Sequence, residues 1–530
     1  MIGLLVVLAA NLRFLEGMPQ VLDPMMSMDP FYIDLAHQPL SSILSRDPAW
    51  GPLYALWLKP FVAILGDPLR VYVANVGAIS LALSFAIFVH GLVVTRRAVL
   101  ATALALFFLV SDFNVPLFSK VSAFALLLLL IGLTLAQLAS PGPQRLTVAS
   151  FAAVIAAWAR PELLPAGVCL ALTAGWTARR RGQPSPRRLL LVAAAVLLFC
   201  FSGHTADAGE DRLLQAFREH FMWNWSRWHG EWRYLADVWR EEFGDANSLL
   251  GALAHNPAGA FHHFADNLIA TVRFLAVNTC GHFPLLAPAT WPTLVELESI
   301  AAGVAMAAVV LASFADRDRR RALFEHHGDL LLAYGTIALS CSAAAIVIFP
   351  RPHYLAIPAI LLWLAAMLAA SVRVSARASS PWMIAATALA AVAMVPRPFV
   401  LPSVHQVPGS AFVGRFSVTR PLHDTVELVR SFHLPPPVRV LTLNDGVGEM
   451  LGDGYQEIKI WRRGDRPLAD YIRDNEVAVV VTMEAGRESF LIDDPHWRRL
   501  LTNPESTGFV RRAVPGNPNV GVYLRRDLAG

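Results

Sequence analysis

Between Met28 and Pro60 the sequence reads M-D-P-F-Y-I-D-L-A-H, a short polar passage, and then R-D-P-A-W-G-P-L-Y-A-L-W-L-K-P. Asp29, Asp34 and Asp47 fall in this stretch, in a chain of 530 residues of which only 16% are charged. The segments on either side are apolar enough to read as membrane spans. Carboxylates beside a bilayer are costly unless they face water or a partner, so these acids are functional candidates by default. Lys59, Lys120, Arg160, Arg351 and His353, together with Glu162, lie at the ends of other apolar segments. A carboxylate that accepts a proton, beside cations that hold a phosphate, suits transfer of a sugar from a phosphate-linked donor. The attacking hydroxyl must lose its proton, the departing phosphate gathers charge that arginine, lysine or a metal stabilises, and a nearby carboxylate favours the oxocarbenium character of the reacting sugar.

The elements that must position these groups are membrane helices. Hydrophobic residues make up 55% of the chain and its mean hydropathy is +0.47, above the usual 45–50% of a soluble domain. Runs such as Val99–Val110, Ala123–Leu138 and Ala301–Leu311 carry few or no charges. The net charge of +4 and pI near 9.0 raise nucleic acid as a partner. The arginines argue against it, because they cluster in short turns between apolar segments, as the positive-inside rule expects. Cys169, Cys200, Cys280 and Cys341 are widely spaced and without a C-x-x-C pairing, which fits small core residues better than disulfides or metal ligands. Asn11, Arg13 and Glu16 close the first apolar segment and no small-residue cleavage site follows, so it reads as a retained helix.

Spans are expected over about 2–15, 69–94, 98–110, 120–138, two half-length spans within 146–176 meeting at Arg160-Pro161-Glu162, and 189–201, 294–314, 330–349, 355–370 and 382–395. That is about eleven, with the arginine-rich turns at 96, 145, 179–188, 317–321 and 373–377 on one side. The 18–66 loop, the turns at 160 and 351, and a non-spanning region over 202–292 fall on the other. In that region Trp223, Trp225, Trp228, Trp232 and Trp239 suggest an interfacial aromatic belt. The expectation is a polytopic α-helical protein of an inner (plasma) membrane, N-terminus cytoplasmic. A membrane domain over 1–401 is followed by a small extracytoplasmic α/β domain over 402–530. Strands are expected at Val438–Leu443, Tyr455–Trp461, Val477–Thr482 and Val520–Arg525. Helices are expected at Pro467–Asp474 and, capped by Asp493 or Asp494, at Pro495–Leu501.

Asp29-Pro-Phe-Tyr32-Ile-Asp-Leu-Ala36, followed by Trp50-Gly-Pro52-Leu-Tyr54, resembles the first external loop of GT-C glycosyltransferases of the protein-mannosyltransferase and aminoarabinose-transferase type. Arg70 is similar to that family's arginine early in the next span, Arg160-Pro-Glu162 to its external turn within a helix pair, and Arg351-Pro-His-Tyr354 to its basic-aromatic turn before a late span. The resemblance implies a cell-envelope hexosyl- or pentosyltransferase that takes a sugar from a polyprenyl-phosphate carrier and passes it, with inversion, to a lipid, polysaccharide or protein acceptor. It implies Asp29 as the general base, with Asp34 a second catalytic candidate and Arg160, Arg351, Lys120 and His353 candidates for the phosphate. Many relatives carry an acid in the second external loop. Here Asp112 and Lys120 occupy that stretch, so no residue is assigned to a metal, though a divalent ion remains a candidate cofactor.

Each residue also has a plainer reading. Asp29 before Pro30 can cap a short helix, Asp47 before Pro48 can form a turn, and Arg160 and Arg351 can anchor at headgroups by snorkelling. Asn444-Asp-Gly446-Val-Gly448 lacks a third glycine and reads as a turn, and His262-His263 and His326-His327 read as surface pairs. Two other functions compete: a transporter or flippase, which would carry broken helices in symmetric halves, and a non-catalytic assembly protein. The orientation is testable by labelling. A Gly182→Cys variant should resist an impermeant thiol reagent in intact cells, whereas Gly464→Cys should react; the reversed pattern would place Asp29 on the cytoplasmic face.

Overall fold

The computed structural model describes residues 2–16, 22–24, 29–45, 51–110, 114, 120–182, 192, 194–196, 212–231, 233, 235–278, 311, 315–371, 420–443, 446–463, 466–482, 491, 494–517 and 520–529. Asp47, Asp112 and most or all of the expected spans over 189–201, 294–314 and 382–395 lie outside them. The chain begins with α1 (Ile2–Glu16), then α2 (Asp29–His37), α3 (Leu40–Leu44), α4 (Pro52–Leu65), α5 (Pro68–Thr95), α6 (Ala98–Val110) and α7 (Val121–Leu138). A hairpin of α8 (Pro143–Ala157) and α9 (Leu164–Arg180) follows, joined by a single 3-10 turn at Pro161–Leu163. At 1.5 Å per residue the two arms are only ~22 and ~25 Å long, close to the paired short spans expected around Arg160. Next come α10 (Arg212–His229), α11 (Leu235–Phe243), α12 (Leu249–His255) and α13 (Pro257–Asn278), then α14 (Arg317–Val347) and α15 (Pro352–Ser371).

Four helices among the described residues are long and apolar enough to cross a membrane: Pro68–Thr95, Val121–Leu138, Arg320–Val347 and His353–Ser371. Shorter apolar helices cover Ile2–Leu12, Pro52–Leu65 and Ala98–Leu109. The tryptophan-rich region corrects the expected belt. Trp225 and Trp239 are buried with Phe217, Phe221 and Phe243 in a separate core built by α10–α13. Aromatic density alone does not distinguish rings lying in headgroups from rings buried against each other.

The C-terminal part continues with α16 (Pro421–Arg430), β1 (Val438–Thr442), α17 (Val447–Leu451), β2 (Tyr455–Lys459), α18 (Leu468–Asp474), β3 (Val479–Thr482), α19 (Pro495–Thr502), β4 (Phe509–Ala513) and β5 (Gly521–Arg525). The strand order is β2-β1-β3-β5-β4. β1 lies parallel to β2 and β3, and β5 antiparallel to β3 and β4. Side-chain alternation along the strands divides the burial. Val440, Val479, Val481, Val522 and Leu524 join the same core as the membrane helices. Leu441, Val480 and Tyr523 face a second core with Tyr471 and Trp497. Asp494 caps α19, accepting from His496 N at 2.8 Å and Trp497 N at 3.2 Å.

The sheet therefore rides on the bundle, at the end that carries α2. The Leu422 amide donates to Asp23 Oδ2 at 2.9 Å. Arg430 pairs with Asp67 at 2.7 Å and donates to the Met450 and Leu451 carbonyls that end α17. Asp67 in turn caps α5 through Arg70 N. Gly446, expected in a plain turn, is the close contact of this junction: its φ is +86° and a Cβ there would lie 3.0 Å from Pro30 Cγ. A left-handed conformation costs a non-glycine residue about 1–2 kcal/mol. Gly508 has the same backbone (φ +83°) with open space around it. Gly446→Ala is thus expected to release the C-terminal domain to protease faster than Gly508→Ala in the full-length protein; equal rates would mean that the Pro30 contact contributes nothing.

Candidate active site

Asp29 opens α2 and is fully buried, with 0% of its surface exposed. Burying a carboxylate is strongly unfavourable unless donors surround it, and three elements supply them. From α4, Tyr54 OH donates to Asp29 Oδ1 at 2.7 Å. From α5, Asn75 Nδ2 donates to Tyr54 OH at 2.7 Å, and Asn75 Oδ1 accepts from Trp57 Nε1 of α4 at 2.8 Å. From the start of α7, the Lys120 amide lies 3.3 Å from both carboxylate oxygens. The Lys120 ammonium turns instead to the Asn114 carbonyl, 3.1 Å away.

Tyr32, one turn beyond Asp29, meets Tyr54 edge-on at 5.0 Å. Its hydroxyl approaches Gly51, where a Cβ would lie 3.2 Å from that oxygen and 2.8 Å from the Ala159 carbonyl. The start of α4 therefore rests on the turn that carries Arg160. Arg160 donates to Glu162 through Nε at 2.6 Å, and its guanidinium lies 4.6 Å from the Tyr354 ring centre. Burial opposes the Arg160 charge, but Glu162, Tyr354 and Tyr32 more than offset it, so the guanidinium is held charged. Ser340 in α14 donates to the Glu162 carbonyl at 2.6 Å, tying the turn to the next helix.

Arg351 lies over the Trp223 ring at 4.4 Å. His353 lies near Arg351, Arg160 and His220, with its ring 4.3 Å from that of Tyr354. Asp29, Lys120, Arg160, Arg351 and His353 thus gather at one end of the bundle from four separate stretches of sequence. Asp34 does not join them; it is exposed on another side of α2, as is Arg70 on α5. Among the described residues no three His, Cys, Asp or Glu side chains converge as a metal site would require.

What holds the Arg351 turn is not visible in local sequence. Pro350 and Pro352 remove amides there, and the last carbonyls of α14 are met from α13. His263, expected at the surface, is buried: Nδ1 accepts from Asn224 at 2.9 Å and Nε2 donates to the Ile348 carbonyl at 3.0 Å. Asn224 also donates to Asn267 Oδ1 at 3.0 Å, and Asn267 Nδ2 donates to the Ile346 carbonyl at 2.9 Å. A polar i, i+4 pair on an amphipathic helix was the available signal, but its partners lie about eighty residues away. His262, by contrast, is exposed and stacks on Trp228 at 4.1 Å.

By composition and fold this is a multi-pass helical membrane protein with a small C-terminal sheet. No protein-family model matches the sequence, and no curated protein does. Among solved structures the chain is similar to an archaeal oligosaccharyltransferase, AglB from Archaeoglobus fulgidus, in complex with an inhibitory peptide and a dolichol-phosphate. The likeness covers 99% of this chain and 74% of that one, at 11% identity and a TM-score of 0.41. At that degree of superposition it carries no residue roles.

Burial pulls His263 down from 6.5 to about 4, against the backbone carbonyls that favour its charge. A histidine depressed in the folded state adds stability above its unfolded value and loses it as pH falls toward the folded one. Melting of the purified protein should therefore drop between pH 6.5 and about 4, and the drop should shrink in His263→Gln. An unchanged pH profile in that variant would remove His263 from the account.

Proposed function

We propose that this chain is a membrane glycosyltransferase that moves a sugar from a polyprenyl-phosphate carrier to an acceptor hydroxyl on the extracytoplasmic side. The observation that carries the reading is the meeting of Asp29 with the Arg160 and Arg351 turns, through Tyr54, Tyr32 and Gly51, at one end of an apolar bundle. A carrier of this kind keeps its chain in lipid and its phosphate at the bundle end, where the guanidinium groups stand. In the reaction the acceptor oxygen bonds to the anomeric carbon from the face opposite the phosphate, and the carbon–oxygen bond to phosphate breaks. The phosphate leaves with the electron pair, the configuration inverts, and the acceptor proton passes to a carboxylate. Both Asp29 oxygens already accept protein hydrogen bonds, Oδ1 from Tyr54 and both from the Lys120 amide, and the carboxylate as a whole is the group assigned to that proton. Arg160 and Arg351 take the phosphate charge, His353 stands beside them as a hydrogen-bonding group, and Lys120 orients Asp29 through its backbone amide. Because Asp29 is enclosed, donor and acceptor must part the α2–α4 contact around Tyr32 to reach it.

A second reading has its own observation. Full burial and the Lys120 amide make Asp29 a cap that ties α7 to α2, in which case the acid is structural.

Incubation of the purified protein with radiolabelled polyprenyl-phosphate sugars tests the activity, and Asp29→Asn separates the two roles. A general base is worth roughly 10²–10⁴-fold in rate, so the catalytic reading expects a loss of that size with unchanged melting. The structural reading expects lost melting temperature with turnover per folded molecule retained. Arg351→Lys should lower turnover more than donor affinity, because lysine offers a point charge where arginine offers a fork; wild-type kinetics in that variant would leave Arg351 a headgroup anchor.

A further inference from the structure

At the opposite end of the bundle lies a buried charge that no acid among the described residues pairs with. Arg145 lies in the first turn of α8, about 22 Å along the hairpin from Arg160 at 1.5 Å per residue, and only 8% of its surface is exposed. Its Nε has no hydrogen-bond partner, and among the described residues no carboxylate pairs with it. Nearby groups are unsatisfied as well. His327 on α14 lies in the field of Arg145, and its Nδ1 is buried without a partner. Gln137 Nε2 is buried without a partner near the end of α7. The short 139–142 connection, with Gly132 packed against Ala152, makes α7 and α8 an antiparallel pair, so Gln137 and Arg145 lie toward the same end.

The charges around this point do not cancel. Asp329 is the nearby acid, and its Oδ2 accepts from the Gly142 amide at 2.6 Å. Arg181 lies across Gly142 and adds a second guanidinium. His326 is exposed, and Glu325 is occupied by Arg321 at 2.6 Å. A buried guanidinium left without an anion is strongly unfavourable. The unmatched groups here are two N–H donors and an imidazole nitrogen, the complement of a phosphate's acceptor oxygens.

We propose that this arginine-rich end binds a phosphate group, gripped by Arg145 with Gln137 and His327 beside it. The group belongs either to a phospholipid headgroup or to a soluble phosphate. This site is separate from the one around Asp29 and does not depend on any activity there.

The test uses the full-length protein purified in lipid-stripped detergent, with melting temperature as the readout. The probes are inorganic phosphate, micelles doped with phosphatidylglycerol, and micelles doped with diacylglycerol, which lacks phosphate. The wild type should melt higher with a phosphate-bearing probe and not with diacylglycerol. A response to phosphatidylglycerol alone identifies a headgroup, and a response to inorganic phosphate identifies a soluble ligand. Arg145→Met should lose the response and melt no lower than wild type without probe, because it removes an uncompensated charge. Arg145→Lys keeps the charge but loses a charge-assisted hydrogen bond, and should need about tenfold more probe; it carries the test if the methionine variant does not fold. An equal response in wild type and Arg145→Met, or a wild type indifferent to both phosphate-bearing probes, would overturn the assignment.

Discussion

A carboxylate buried in an apolar bundle must be met by donors, and Asp29 is met by a chain of them. Trp57 donates to Asn75, Asn75 to Tyr54 and Tyr54 to Asp29, and the Lys120 amide, just before α7, approaches the carboxylate as well. Charge-assisted bonds of this kind are worth about 1.5–3 kcal/mol each, and a buried donor left unmatched costs about 1–3 kcal/mol. Removing any one element would strand polar groups on the others. α2, α4, α5 and α7 are therefore held in one arrangement, and Tyr32 and Gly51 carry that arrangement across to the Arg160 turn.

The same end of the bundle is secured from outside and from the side. The C-terminal domain presses Gly446 against Pro30, the residue after Asp29, and locks Arg430 onto Asp67 at the start of α5. The aromatic helices α10–α13 reach the Arg351 turn through His263 and Asn267, which satisfy carbonyls that two prolines leave without helical partners. Both accessory parts thus act on turns, where α-helices leave their own backbone groups unpaired.

Much of this architecture could be read from one chain. Long apolar runs gave α5–α7 and α15 nearly residue for residue, short buried runs gave β1 and β3, and β2 and β5 were among the expected strands. α4 is absent from the expected spans, because fourteen residues broken by Pro60 fall short of a span. β4 was missed because two of its five residues are arginines, on a strand exposed over its second half, and they conceal its strand character. At the site, the acids and cations stood out because charge is rare in this composition. Asn75 did not, though a lone amide in an apolar helix is itself a signal. What the sequence withheld was pairing. Asn75 with Tyr54, His263 with Ile348 and Gly446 with Pro30 join segments that local patterns describe separately.

The two outer arginines are not equivalent once their partners are compared. Arg160 gives Nε to Glu162 in a short, charge-assisted bond, and Glu162 is held in place by Ser340. A phosphate arriving at Arg160 must compete with a carboxylate of like charge. Arg351 is held by the face of Trp223, and stacking uses the plane of the guanidinium, whereas phosphate uses the N–H groups at its edge. The two contacts are compatible at one side chain. If this end of the protein receives a lipid phosphate, as proposed, Glu162 sets how far Arg160 can share in binding it, and the Trp223 face sets the plane in which Arg351 can meet it.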